Sequence, residues 1–186
     1  MIEDKIEIIE EVKPKNKKNL GGYNQNNTVV LTPHWLFDWI EKEFNVKFDF
    51  DPCVINAEEK GIDNLTKETE WGMFNYVNPP YTKKKPNVKH FLQKALEEYK
   101  KGKTSIFLMP IVSSDYFLDL VWNNFTSFYI LPNVVAFNKP DGTYYNQPLI
   151  ARPMCIVEFN PNKKRRKRLI KSNFKLKDKF GTSFTY

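Results

Sequence analysis

Cysteine and histidine are both scarce in this chain. Cys53 and Cys155 are the two cysteines, and His34 and His90 are the two histidines. Two cysteines cannot build a disulfide framework, and so few soft ligands leave little room for a zinc or histidine-rich centre, so no metal is expected. No apolar run approaches the roughly 18 residues that a membrane span needs. Met1 to Glu11 mixes acids with apolar residues and lacks the basic-then-apolar order of a secretory signal. These absences predict a soluble, intracellular chain. What is present is enough for one core: 41% of the 186 residues are hydrophobic and 15% aromatic, which excludes disorder throughout and fits a single domain.

The net charge of +7 is unevenly spread. Between Asn160 and Tyr186, Lys163, Lys164, Arg165, Arg166, Lys167, Arg168, Lys171, Lys175, Lys177 and Lys179 face a single acid, Asp178, so this segment carries +9 and the rest −2. Six consecutive basic residues repel one another and are seldom packed. The reading is a flexible arm over 1–28, which contains the Asn-rich stretch Asn24 to Asn27, a globular body over 29–160 and a basic tail over 161–186. The tail suits an anionic partner, nucleic acid above all, although a solvated surface or a targeting patch has the same composition.

Within the body, Thr32-Pro33 reads as a helix start, with Leu36, Ile40 and Phe44 at helical spacing after it. Val46, Phe48 and Phe50 alternate with polar residues, which predicts a strand ending at Asp51-Pro52. Phe74 to Val77 is a second strand candidate. Val88, Phe91, Leu92, Ala95, Leu96 and Tyr99 predict an amphipathic helix with an exposed lysine-rich face, stopped by Gly102. Thr104 to Met109 suits a central strand buried on both faces. A short helix over Asp115–Trp122 and strands at Ser127–Leu131, Val134–Phe137 and Met154–Phe159 complete the pattern. Strands alternating with helices, with a β-rich end, predict an α/β fold.

Asn78-Pro79-Pro80-Tyr81 follows the second strand directly. Adjacent prolines restrict the backbone on both sides. They hold it at the carboxyl edge of a sheet, where open α/β folds bind ligands. The Asn78 carboxamide oxygen and the Pro79 carbonyl can both accept hydrogen bonds from one amino group, which fixes the nitrogen's lone pair. Tyr81 offers a flat face for stacking. The set suits a planar amine. The ordinary alternative is a proline-rich turn beside an aromatic residue.

This tetrapeptide resembles the catalytic motif of amino-group methyltransferases that use S-adenosylmethionine. The order Thr32 to Asp38, Phe48 to Val54, Asn56-Ala57, Asp63 to Leu65, Trp71 and Asn78 to Tyr81 is similar to that of the phage-type, Dam-like DNA adenine-N6 methyltransferases, and the likeness covers residues 30–159. The resemblance implies a single-domain, Rossmann-like fold with a mixed, mostly parallel sheet. It implies an enzyme of a phage or prophage, acting in the bacterial cytoplasm, in restriction-modification or another use of DNA methylation. Asn78, Pro79, Pro80 and Tyr81 would bind and activate an adenine flipped out of double-stranded DNA. Asp51, Pro52, Cys53, Thr32, Pro33 and Asp63 would contact the cofactor. Phe137 would pack against the base or serve as a core aromatic. Lys83, Lys84, Lys85, Lys164, Arg165, Arg166 and Arg168 would contact phosphates. One departure stands out: no glycine follows Asp51 until Gly61. The same tetrapeptide also serves methyltransferases of RNA bases and of protein glutamine, and a non-catalytic DNA-binding relative is a further alternative.

Overall fold

The structure is a computed structural model that describes residues 21–23, 29–55, 60, 63–81, 85–131, 135, 137–139, 141–143, 153–164 and 169–171. Strands β1 (Gly21–Tyr23) and β2 (Val29–Leu31) pair antiparallel as a small ribbon. Helix α1 (His34–Phe44) follows, then β3 (Phe74–Val77), α2 (Val88–Lys100) and β4 (Thr104–Pro110). A π-helical segment (Phe117–Trp122) precedes β5 (Ser127–Ile130), β6 (Met154–Phe159) and β7 (Leu169–Lys171).

The main sheet has the order β3-β4-β6-β5-β7. β3 and β4 run parallel, joined through α2, and β5 and β7 run parallel. β6 is antiparallel to both neighbours, β4 and β5. It follows that β3, β4, β5 and β7 all point one way and β6 alone runs against them. The sheet is mixed, as its sequence suggests. Every residue of β4 and β6 is buried, which is why these two strands read as near-continuous apolar runs.

Side-chain spacing explains the helices. Leu36, Phe37, Ile40 and Phe44 form the buried stripe of α1, and Asn45 ends it in the left-handed conformation (φ 52°). Asn87 caps α2 by accepting from the Lys89 N–H, with His90 closing a capping box. Gly102, at φ 89°, turns the chain from α2 into β4.

Several elements differ from the sequence reading. Thr32 does not cap α1; Pro33 takes the N-cap position and no side chain caps that end. Residues 46–50 lie along β3 but pair with it only through a parallel bridge from Phe50 to Asn75, because the Asp49 carboxylate takes the Met73 and Phe74 N–H groups. Gly72 permits that approach: a Cβ there would lie 2.1 Å from Asp49 Oδ1. The helical face of α2 is not wholly solvated, since Lys94 and Glu98 are buried. Glu98 Oε1 meets Lys94 at 3.1 Å and Lys101 at 2.8 Å, while Oε2 meets Lys103 at 2.9 Å. Burial alone would raise the Glu98 pKa, but the hydrogen bonds of Lys101, Lys103 and Lys94 lower it to about 2.

Residues 21–23 fall within the expected N-terminal arm but form β1 instead. Gly21-Gly22 is a loop signal in the sequence, yet it pairs with β2. Leu169–Lys171 falls within the expected basic tail but is β7, since Leu169 and Ile170 interrupt the charged stretch with strand-forming residues. Of the expected strand at 134–137, Val135 and Phe137 are described and lie outside the strands, and Asn138 bridges to Leu31.

Candidate active site

The site lies where β3 ends. Asn78, Pro79, Pro80 and Tyr81 are all buried, with Asn78 0% and Tyr81 8% exposed. Tyr76 and Asn78, two residues apart along an extended chain, project to the same face. That spacing is readable in the sequence, but Tyr76 precedes the tetrapeptide and looks like an ordinary strand aromatic, so the sequence alone does not single it out.

A chain of polar groups runs through this face. Tyr76 Oη lies 2.7 Å from Thr32 Oγ1, and Asn78 Nδ2 donates to the same Thr32 oxygen at 3.1 Å. Tyr81 Oη reaches Asn78 Oδ1 on one side and the Leu108 main-chain oxygen, at 2.6 Å, on the other. Tyr81 has one hydrogen for these two acceptors. Leu108 is the first residue of β4 beyond the last β3 pair, Val77 with Phe107, so its carbonyl has no strand to meet on that side. Burial pushes the Tyr81 phenol well up, as it does Tyr76, so both are neutral hydroxyls.

The turn after residue 50 packs against the tetrapeptide. Asp51 Oδ1 accepts from the Cys53 N–H at 2.8 Å, and the Pro52 carbonyl accepts from Asn64 Nδ2 at 2.9 Å. The Cys53 thiol faces the Asn78 main-chain N–H. Burial, then the Asp51 carboxylate, raise its pKa well above the ordinary value, so it is a protonated, small, buried group rather than a nucleophile. Phe137 is buried, with its ring centroid 6.5 Å from that of Tyr81.

The structure thus gathers Thr32, Pro33, Asp51, Pro52 and Cys53 around Asn78 to Tyr81. Asp63 is not gathered in: it is exposed, and its carboxylate accepts from the Leu65 N–H at 2.9 Å within its own turn. Lys85 is exposed, and Lys83 and Lys84 lie outside the described residues. Lys164 is exposed but follows β6, the reversed strand, so it stands at the edge of the sheet opposite the tetrapeptide. The seven residues of β4 separate the two edges by about 20 Å. Arg165, Arg166 and Arg168 lie outside the described residues. Among the described residues no cluster of three or more metal-ligating side chains occurs, and no helix is long and apolar enough to cross a membrane.

Fold and site together define a class: an α/β domain with a mixed sheet and a buried hydrogen-bonded polar cluster at the carboxyl edge of its parallel strands. Comparison with known proteins narrows it. The chain is 28% identical over 138 residues to a protein named DNA N-6-adenine-methyltransferase from Haemophilus phage HP1 (strain HP1c1), covering 70% of this chain and 77% of that relative. The resemblance to phage-type DNA adenine methyltransferases therefore extends well beyond the tetrapeptide. No family model matches the chain, and no solved structure does.

Proposed function

We propose that this protein transfers a methyl group from S-adenosylmethionine to the 6-amino group of adenine in double-stranded DNA. The observation that carries this reading is the Asn78 carboxamide, fully buried at the end of β3 and hydrogen-bonded at both ends. The sheet, with one reversed strand among parallel ones, supports a Rossmann-like methyltransferase domain that runs past the expected boundary at 160 to take in β7.

The residues present fit the cofactor. The N-terminus of α1 has no side-chain cap and no acid in its first turn, and although the Leu36 and Phe37 N–H groups turn back to the Pro33 carbonyl, its positive end favours a carboxylate. Asp51, Pro52 and Cys53 would shape the opposite wall. When bound, S-adenosylmethionine supplies a methyl group on a sulfonium centre.

This chain's own part is binding and orientation. Asn78 Oδ1 and the Pro79 carbonyl accept the two hydrogens of the target amine, which turns its lone pair out of the ring plane. Tyr81 stacks on the ring. No side chain here needs to act as a base, because the methylated nitrogen becomes acidic and sheds its proton to water. An adenine stacked in a duplex cannot bring its 6-amino group to a protein side chain, so in this reading the target is flipped out and Tyr81 gives up its contact with Asn78 Oδ1 to admit it. Lys83, Lys84 and Lys85, next to the tetrapeptide in sequence, then hold phosphates, and the basic tail, which leaves the opposite edge of the sheet, would contact the duplex further along its length.

The test is incubation of purified protein with labelled S-adenosylmethionine and separate pools of unmethylated DNA, RNA and protein. N6-methyladenine in DNA is the expected product. Label in RNA or in glutamine alone, or cofactor binding with no transfer to DNA, overturns the reading.

A further inference from the structure

We infer that Tyr81 is a latch: in the free protein its hydroxyl, seated on the Leu108 carbonyl, fills the place in front of the Asn78 carboxamide that the target amine must take. This rests on the adenine methyltransferase reading and goes beyond it, because there Tyr81 serves the base as a stacking face, whereas here it also holds the site shut.

The seat follows from the prolines. Along β3 the N–H groups alternate between the two sides of the strand. That of Tyr76 goes outward, away from β4, to the Phe50 carbonyl at 3.0 Å, and that of Asn78 goes outward to the Cys53 thiol. The next N–H turned towards β4 beyond Val77 would belong to position 79, where proline has none. With Val77 paired to Phe107, this missing group is the one that would meet the Leu108 carbonyl. Leu108 is 0% exposed, and a buried carbonyl without a donor is unfavourable. The Tyr81 hydroxyl supplies the donor from two residues further on, at 2.6 Å. Proline at 79 thus draws the tyrosine at 81 inward.

Once seated, the tyrosine blocks the site. Its oxygen also touches the Asn78 carboxamide, and whichever way that amide is turned, the group in front of it is this hydroxyl. Tyr81 is buried and its ring centroid lies 6.5 Å from that of Phe137, so the seat is inside the core. The hydroxyl cannot fill the amine's place while the ring stacks on the base that carries the amine. Tyr81 therefore has two positions, seated and withdrawn, and only the withdrawn one admits a base. The fraction of molecules with the latch withdrawn scales the apparent affinity for the base. The hydroxyl's bonds to Leu108 and Asn78 exist only in the seated position. Deleting that one oxygen therefore weakens the seated position and keeps the ring that stacks.

The experiment compares full-length wild type with Tyr81→Phe. It measures kcat/KM on unmethylated DNA, with Kd for S-adenosylmethionine and the melting temperature as controls for folding. Tyr81→Phe should raise kcat/KM by about three- to tenfold, as expected when a hydrogen bond that holds only the closed state is removed. A folded, cofactor-binding variant with kcat/KM at or below that of the wild type overturns the inference, since a hydroxyl needed for transfer, or one that only stabilises the fold, gives that result. A second measurement places 3-fluorotyrosine at position 81 of the otherwise unchanged protein. Its fluorine resonance should move when DNA and S-adenosylhomocysteine, the spent cofactor, are added together. A resonance that stays in place refutes the latch, and it decides the matter should Tyr81→Phe fail to fold. A wild type that binds cofactor but methylates no DNA refutes the underlying reading instead, and the inference with it.

Discussion

Replacing Asn78 with alanine separates catalysis from folding, and the structure says why. Asn78 has two side-chain partners, and each keeps another when it is gone. Thr32 retains Tyr76 at 2.7 Å, and Tyr81 retains the Leu108 carbonyl at 2.6 Å. No buried hydroxyl is orphaned, so the stability cost is that of a small cavity and two missing hydrogen bonds, about 1–3 kcal/mol. Domains of this size have about 5–15 kcal/mol in hand, so the variant stays folded. The catalytic cost is larger. Removing one oriented hydrogen-bond partner from a reacting group typically raises the barrier by about 2.7–4 kcal/mol, a drop of about 100- to 1,000-fold in kcat. The assay is single-turnover transfer of labelled methyl to DNA, with cofactor Kd and thermal melting measured on the same preparation. A folded, cofactor-binding Asn78→Ala protein within tenfold of wild-type kcat would refute the role given to the carboxamide.

Four further outcomes are expected. Glu98→Gln leaves buried Lys94 without its counter-charge and Lys103 with only the exposed Glu70 carboxylate at 3.9 Å, and should cost about 3–5 kcal/mol in urea unfolding; a cost below about 1 kcal/mol would contradict the cluster's importance. Because the folded Glu98 pKa is lowered to about 2, its contribution is present above the ordinary carboxylate range and fades as pH falls from about 4.5 towards 2, so the gap between wild type and Glu98→Gln should narrow in that window. Gly72→Ala should destabilise by about 1–3 kcal/mol, because the new Cβ meets Asp49 Oδ1 at 2.1 Å and Phe50 Cβ at 2.8 Å; an unchanged unfolding midpoint would disprove that close approach. Neutralising Lys164 to Arg168, with Lys163 kept as the partner of buried Glu158, should weaken DNA binding and flatten the slope of log K against log salt by about 0.9 for each phosphate that is no longer neutralised, whereas an unchanged slope removes this run from the interface.

How much is legible in the sequence follows from the range of the forces involved. α1, α2, β4 and β6 announce themselves through local periodicity, and the tetrapeptide is a local feature whose strand-end position follows from its prolines. The groups that orient it are not local. Thr32 stands 46 residues before Asn78, and the Leu108 carbonyl stands 27 after Tyr81. A main-chain acceptor leaves no trace in residue type, and a threonine before a proline reads first as a helix cap. Glu98 with Lys94 and Lys101 looks like an ordinary surface charge pattern until β4 brings Lys103 over it. β7 is hidden because its three residues are embedded in a stretch dominated by charge.

β7 also joins the sheet's integrity to its surroundings. Residues 163–168 carry six positive charges on the stretch that links β6 to β7, the two strands on either side of β5, and of these Lys163 is already paired with the buried Glu158 at 2.7 Å. Charges spaced within a Debye length, about 8 Å at physiological ionic strength, repel one another and oppose the pairing of β7 with β5. Added salt therefore acts with two signs, loosening the grip on phosphate while tightening the sheet edge. A polyanion bound along 163–168 would relieve the same repulsion at low salt, so amide exchange at Leu169–Lys171 should slow when DNA is added, and the edge strand, four positions across the sheet from β3, becomes a reporter of occupancy.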